Sequence, residues 1–314
     1  MKNKAKIIIS LLFFIMILGA CKNKIDKENP SSDPTIPYSN KNTNNKEELA
    51  EKDQGKIEAG SLNSKILKQN WKYKVYLPNA YDKKSDKKYP VLYMLHDFGG
   101  NSSSILEKSN TKDVLDKIMK NKEKKMILVF VDGLSTFYID SKYDKKMESA
   151  IKEELIKEID KKYKTDKKKS ARAIGGISLG GYGAISICLK NPKLFSNALL
   201  LSPTLWQKVD KNSPIRKNYR TFSDGKKIWS DEVYKEKFPT NFVSDKTKDI
   251  NVYIRSAKGD KTIKIEDIEK FNKFLEEAEM TTEFKKDGEE FDHNYNYWNK
   301  ITEESYLWIL DQFE

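Results

Sequence analysis

The stretch Ala173-Ile174-Gly175-Gly176-Ile177-Ser178-Leu179-Gly180-Gly181-Tyr182-Gly183 contains the pattern Gly176-x-Ser178-x-Gly180. Such a serine sits on a sharp strand-to-helix turn that lifts its hydroxyl clear of a sheet, with glycine on either side because a side chain there would clash. Ser178 is therefore expected in a strained backbone conformation. Residues 170–174 can form a short strand before it, and residues 181–190 a helix after it that stops at Asn191-Pro192. The pentapeptide thus lies in the strand-turn-helix setting of a nucleophile elbow, which a chance match would lack.

Working outward, the chain alternates strands and helices. Trp71, Tyr73, Val75 and Leu77 alternate with Lys72, Lys74 and Tyr76, which predicts a half-buried strand ending at Pro78. Residues 90–95 form a continuous apolar run suited to a central strand buried on both faces, and they lead into His96-Asp97-Phe98-Gly99-Gly100. A helix is expected around 112–122, a strand over 126–131, and a helix through Met147, Ile151, Leu155, Ile159 and Tyr163. Beyond the elbow, strands are expected at 197–201, 251–256 and 282–285, with helices at 265–277 and 302–312. This βαβ alternation predicts an α/β-hydrolase fold, a mostly parallel central sheet with helices on both faces. Residues 204–248 form an insertion carrying Trp206, Tyr219, Phe222, Trp229, Tyr234, Phe238 and Phe242, and it reads equally as a partly helical cover over the site or as plain packing.

The 314 residues, 38% of them hydrophobic, suffice for one large catalytic domain, assigned to 61–314. The formal charge of +12 comes from lysine, because the only arginines are Arg172, Arg216, Arg220 and Arg255. Lysine is interspersed with Asp and Glu nearly everywhere, the pattern of a solvated surface and not of a nucleic-acid binding face. Residues 1–20 read as a signal peptide, with Lys2, Lys4 and Lys6 before an apolar run too short to span a bilayer comfortably. The run ends in Leu18-Gly19-Ala20-Cys21, which resembles the lipobox of bacterial lipoproteins and implies lipidation of Cys21. Residues 21–60 are polar and charged, so they are expected to form a disordered tether reaching on the order of 35 Å from a membrane. With Cys21 lipidated, Cys188 is the only thiol left and reads as a small buried hydrophobe.

A serine hydroxyl becomes a useful nucleophile only when a base accepts its proton and a third group orients that base. The chain has two histidines, His96 and His293. The order Ser, acid, His of this architecture admits only His293 as base. His96 would instead shape its turn by hydrogen bonding. The acid should follow a strand between Ser178 and His293. Asp260 fits, directly after the 251–256 strand, with Asp249 and Asp267 as rivals before the strand and within a helix. The oxyanion needs two backbone donors, expected from Leu179 and from the 96–100 turn, where Phe98 is the candidate. Activity is expected to fall as acid protonates His293, because a protonated base cannot take the serine proton.

These residues resemble the putative-esterase family. The resemblance rests on residues 89–100 ending in His96-Asp97-Phe98-Gly99-Gly100, on Asp132-Gly133 with Phe137-Tyr138, on residues 172–184, and on His293 with Tyr297-Trp298. It covers roughly 65–310. The family contains tributyrin, feruloyl and acetylxylan esterases, S-formylglutathione hydrolases and mycolyltransferases. The resemblance implies Ser178, Asp260 and His293 as a triad with Phe98 and Leu179 as oxyanion amides. The chain departs from the family at Asp97, where His-Gly is usual, and at Asp292, where glycine is favoured before the histidine.

The reading that follows is a serine carboxylesterase acting through an acyl-enzyme on an extracytoplasmic small-molecule or glycan ester, anchored by lipid at the outer face of the cell membrane. No cofactor, metal or nucleic acid is expected. The same triad could pass the acyl group to a sugar acceptor, and a low-turnover lipoprotein binding a glycan or siderophore is the reading from another class. A phosphate-cradling loop is set aside, because residues 175–183 lack the Lys-Ser or Lys-Thr ending and do not follow the first strand.

Overall fold

The computed structural model describes residues 51–313. The expected signal peptide, Cys21 and the tether up to residue 50 lie outside the described residues. The chain forms β1 (Lys56–Ser64), β2 (Gln69–Leu77), β3 (Val91–Leu95), α1 (Ser104–Lys108), α2 (Thr111–Met119) and β4 (Ile127–Val131). Next come α3 (Met147–Ala150), a π turn (Ile151–Leu155), α4 (Ile156–Lys162), β5 (Arg172–Ile177), α5 (Leu179–Lys190) and β6 (Asn197–Leu201). The chain continues through α6 (Pro214–Asn218), α7 (Asp231–Glu236), β7 (Asn251–Ala257), α8 (Ile265–Glu277), β8 (Thr281–Asp287) and α9 (Tyr295–Gln312).

The eight strands make one sheet in the order β1-β2-β4-β3-β5-β6-β7-β8. β1 and β2 are antiparallel to each other, β2 is antiparallel to β4, and all other pairings are parallel. This is the expected α/β-hydrolase architecture. β3, β4, β5 and β6 are buried along their whole length, so their apolar runs serve both faces of the sheet. On one face Val91, Tyr93 and Leu95 pack with Ile151, Leu155 and Ile159 and with Tyr182 and Ile185 of α5. On the other, Leu92 and Met94 pack with Val114, Leu115 and Ile118 of α2 and Trp298, Ile301 and Ile309 of α9.

Three boundaries differ from the sequence expectation. The tether was expected to reach residue 60, yet β1 already runs from Lys56 and pairs in register from Lys56↔Leu77 to Ser64↔Gln69. Its burial alternates along the exposed edge of the sheet, so its polar composition hides a strand. The closing helix was expected from Thr302, but α9 begins at Tyr295. The Asn294 side chain caps it by accepting from the amides of Asn296 and Tyr297, and Tyr297, Trp298 and Ile301 share its buried side. The helix expected through Met147 and Tyr163 is interrupted by the π turn. In the 204–248 insertion, Tyr219, Phe222, Trp229 and Tyr234 are buried in the main core with Phe137 and Tyr182. The ring of Phe137 meets Phe222 edge-on at 4.8 Å, so this insertion packs as part of the domain.

The strand order places the site. The chain leaves β3 for β4 on one side and later returns past β3 to β5 on the other, the switch point at whose carboxyl ends open α/β sheets place their sites. Leu95↔Gly176 pairing brings the 96–100 turn beside Ser178.

Candidate active site

Ser178 follows β5 at φ 54° and ψ −115°, the strained conformation that the elbow demands. Its amide donates to the Leu201 carbonyl at 2.8 Å, and its carbonyl accepts from Gly181 and Thr204 at 2.9 and 3.1 Å. These bonds hold the turn. A Cβ on Gly176 would lie 2.2 Å from the Gly180 carbonyl, and one on Gly180 would lie 2.2 Å from the Leu95 carbonyl oxygen. Glycine is therefore required at both places for backbone to approach backbone.

Ser178, His293 and Asp260, far apart in sequence, form one chain of hydrogen bonds. The Ser178 Oγ lies 2.7 Å from His293 Nε2, and His293 Nδ1 lies 2.7 Å from Asp260 Oδ2. Because a carboxylate only accepts, the tautomer with hydrogen on Nδ1 satisfies both contacts, and Nε2 accepts from the serine hydroxyl. Asp260 is fixed by its other oxygen, Oδ1, which accepts from the amides of Thr262 and Ile263 at 2.8 Å each. Its side chain has no solvent exposure, and that of His293 is only 10% exposed. The rivals lie elsewhere: Asp249 pairs with Lys169, and Asp267 lies in the first turn of α8.

Sequence reasoning missed the groups that hold His293. Asp292, noted only as a departure, accepts from the amides of Lys261 and His293 at 3.0 and 2.8 Å, and so bridges the loops of Asp260 and His293. Its hydrogen bond from the Lys261 amide, followed by that from His293, holds its carboxyl below the ordinary range. Trp298 meets the His293 ring edge-on at 5.1 Å and donates from Nε1 to Ser202 Oγ at 3.1 Å. The available signal was an Asx pattern ahead of an Asn-capped helix, hidden within a polar run.

The 96–100 turn is built as expected around His96, which does not touch Ser178 or His293 through any hydrogen bond. His96 is buried, its Nε2 accepts from the Gly133 amide at 2.9 Å, and its Nδ1 lies 2.8 Å from the Asp97 carbonyl as donor. Tyr138 donates to the His96 carbonyl at 3.1 Å. Both ring nitrogens are thus used by the neutral form, and burial lowers the histidine's pKa, outweighing the Asp97 carbonyl and carboxylate. Phe98 is 44% exposed at the turn's tip, its ring centroid 5.4 Å from that of Tyr219. Leu179 opens α5, where backbone N–H groups lack acceptors within the helix. Cys188 on α5 is buried and unpaired, its thiol pushed up to about 12 by burial.

A stretch of 153 residues is 31% identical to an endo-1,4-beta-xylanase/feruloyl esterase of Xylanibacter ruminicola, covering 46% of this chain. The chain spans only 21% of the length of that relative. An acetyl esterase of Caldicellulosiruptor saccharolyticus is 26% identical over 268 residues, 78% of this chain and 95% of that protein. Among solved structures, a ferulic acid esterase superposes with a TM-score of 0.70 at 22% identity, over 83% of this chain and 98% of the other, a likeness of fold. A family model described as Putative esterase matches residues 64–305, from the last residue of β1 into α9 and across all three members of the hydrogen-bonded chain. This chain therefore belongs to that esterase family and has the α/β-hydrolase fold.

Proposed function

We propose that the protein is a carboxylesterase that works through an acyl-enzyme on Ser178. The observation that carries this reading is the unbroken chain from Ser178 Oγ through His293 to Asp260, with both contacts at 2.7 Å. Ser178 Oγ attacks the ester carbonyl while His293 Nε2 takes its proton. Asp260 stabilises the imidazolium through Nδ1 and keeps it oriented. The negative charge on the former carbonyl oxygen is met by the amides of Leu179 and Phe98, which are fixed before the reaction begins. Collapse breaks the ester C–O bond, and His293 returns the proton to the departing alcohol. Water then repeats the sequence, with His293 as base, and releases the acid and free Ser178.

The substrate is an ester of a small molecule or glycan, in keeping with feruloyl and acetyl esterases among the relatives. The site works outside the cytoplasm on a protein held at the membrane by lipid on Cys21, a reading supported by the lipobox-like Leu18-Gly19-Ala20-Cys21. Acid quenching during turnover of p-nitrophenyl acetate, followed by peptide mass spectrometry, should find one acetyl group on the Ser178 peptide. An acetyl group on another peptide, or none under burst conditions, would contradict the mechanism. In a bacterial host, radiolabelled palmitate should enter the wild type and not Cys21→Ala. Equal labelling of both would remove the anchor from the account.

A further inference from the structure

The 96–100 turn has a buried base and an exposed tip. His96 is clamped by Gly133 and Tyr138. Phe98, by contrast, is exposed, Gly99 has a φ of +70°, and a Cβ added at Gly99 would meet nothing within 4 Å. The Asp97 carbonyl, in the same peptide plane as the Phe98 amide, accepts from His96 Nδ1 and the Gly100 amide at 2.8 and 3.3 Å, and the Phe98 ring lies 5.4 Å from that of Tyr219. From α9, Tyr295 adds a side-chain hydrogen bond to the turn, donating its hydroxyl proton to Asp97 Oδ1 at 2.7 Å. Asp97 immediately precedes Phe98, and Tyr295 lies two residues after His293.

Tyr295 is itself anchored. It is the first residue of α9, directly after the Asn294 cap, and its ring meets Trp298 edge-on at 4.8 Å. The same Trp298 packs against the His293 ring. Lys108 Nζ lies 5.5 Å from the centre of the Tyr295 ring on a further side.

We infer that Asp97 and Tyr295 are a positioning pair, whose hydrogen bond holds the Phe98 amide in register with His293. The inference rests on the assignment of Ser178, His293 and Phe98 made above. Neither side chain performs a chemical step. A donor displaced from the developing oxyanion gives less stabilisation to the transition state and little less to bound ester, so loss of the pair falls on kcat.

A double-mutant cycle on p-nitrophenyl acetate hydrolysis tests this, with kcat normalised to folded protein. Tyr295→Phe and Asp97→Ala should each lower kcat about tenfold and leave KM within about twofold. The combined variant should be no more than about twofold slower than the slower single variant, because one bond is lost in all three. Tyr295→Phe within about twofold of wild type in kcat, or a combined loss equal to the product of the single losses, would overturn the pair. Ser178→Ala run alongside separates the two levels. Its inactivity, together with an undiminished Tyr295→Phe, overturns the pair alone, whereas activity surviving Ser178→Ala overturns the site assignment beneath it.

Discussion

Asp260 illustrates how a single side chain can do two jobs with two oxygens. Oδ1 is committed to the amides of Thr262 and Ile263, which leaves Oδ2 aimed at His293. Asp260→Asn would keep the loop bonds but present an amide that can force the wrong tautomer on His293, so kcat should fall by about a thousandfold or more with folding intact. A pre-steady-state measurement showing unchanged acylation would contradict that role. At Gly180 the constraint is steric: an added methyl would meet the Leu95 and His96 carbonyls, so Gly180→Ala should cost at least about 2 kcal/mol in urea unfolding. His96 adds a pH dependence. Burial lowers its folded pKa below the ordinary 6.5, so on acidification the unfolded chain binds the proton first. This part of the stability is complete above about pH 6.5 and declines as pH falls toward the lower, folded value. Melting temperature should therefore drop more steeply from pH 7 to pH 5 in wild type than in His96→Gln, and equal slopes would rule this out.

At the scale of elements, the strands that lead into the loops of Asp260 and His293 are joined by an ion pair. Arg255 on β7 forms a two-pronged pair with Asp287 at the end of β8, at 2.7 and 2.9 Å, and also meets Glu304 of α9. Tyr297 of α9 donates to Asp287 Oδ2 at 2.7 Å. Burial alone would raise the Asp287 carboxyl, but Arg255 and Tyr297 outweigh it and hold it below its ordinary value. The sign follows: this stability is present above the unfolded carboxylate value of about 3.9 and is lost as pH falls through the lower folded value. Arg255→Met should cost about 2 kcal/mol at neutral pH by urea unfolding, and progressively less as pH falls below the unfolded carboxylate value of about 3.9. Elements with strong apolar runs, β3 to β6, were readable because burial on both faces leaves an uninterrupted hydrophobic signature. Ser178 and His293 were readable because glycine geometry and chain order constrain them. β1 and the first turns of α9 were not, since an edge strand and an Asn-capped helix start are polar where they face water. Asp292 and the Asp97–Tyr295 pair depend on loops meeting in space, which spacing along the chain does not encode.

Across the described residues, a single sheet with two core layers carries a candidate site assembled from the carboxyl ends of β3, β5 and β7 and the loop after β8. One sheet edge is β1, which covers β2 along its full length, so the fold requires residues that composition assigns to the tether. A chain beginning at residue 51 should melt and hydrolyse ester as the full chain does. One beginning at residue 61 loses most of β1, exposes the β2 edge and should melt lower by several degrees or aggregate. Equal melting of the two truncations would show that β1 is dispensable. The central claim concerns Ser178, and the direct measurement is hydrolysis of p-nitrophenyl acetate by wild type and Ser178→Ala, matched for concentration and folded fraction. The account predicts a loss of at least about a thousandfold in Ser178→Ala; equal rates for the two proteins would contradict it.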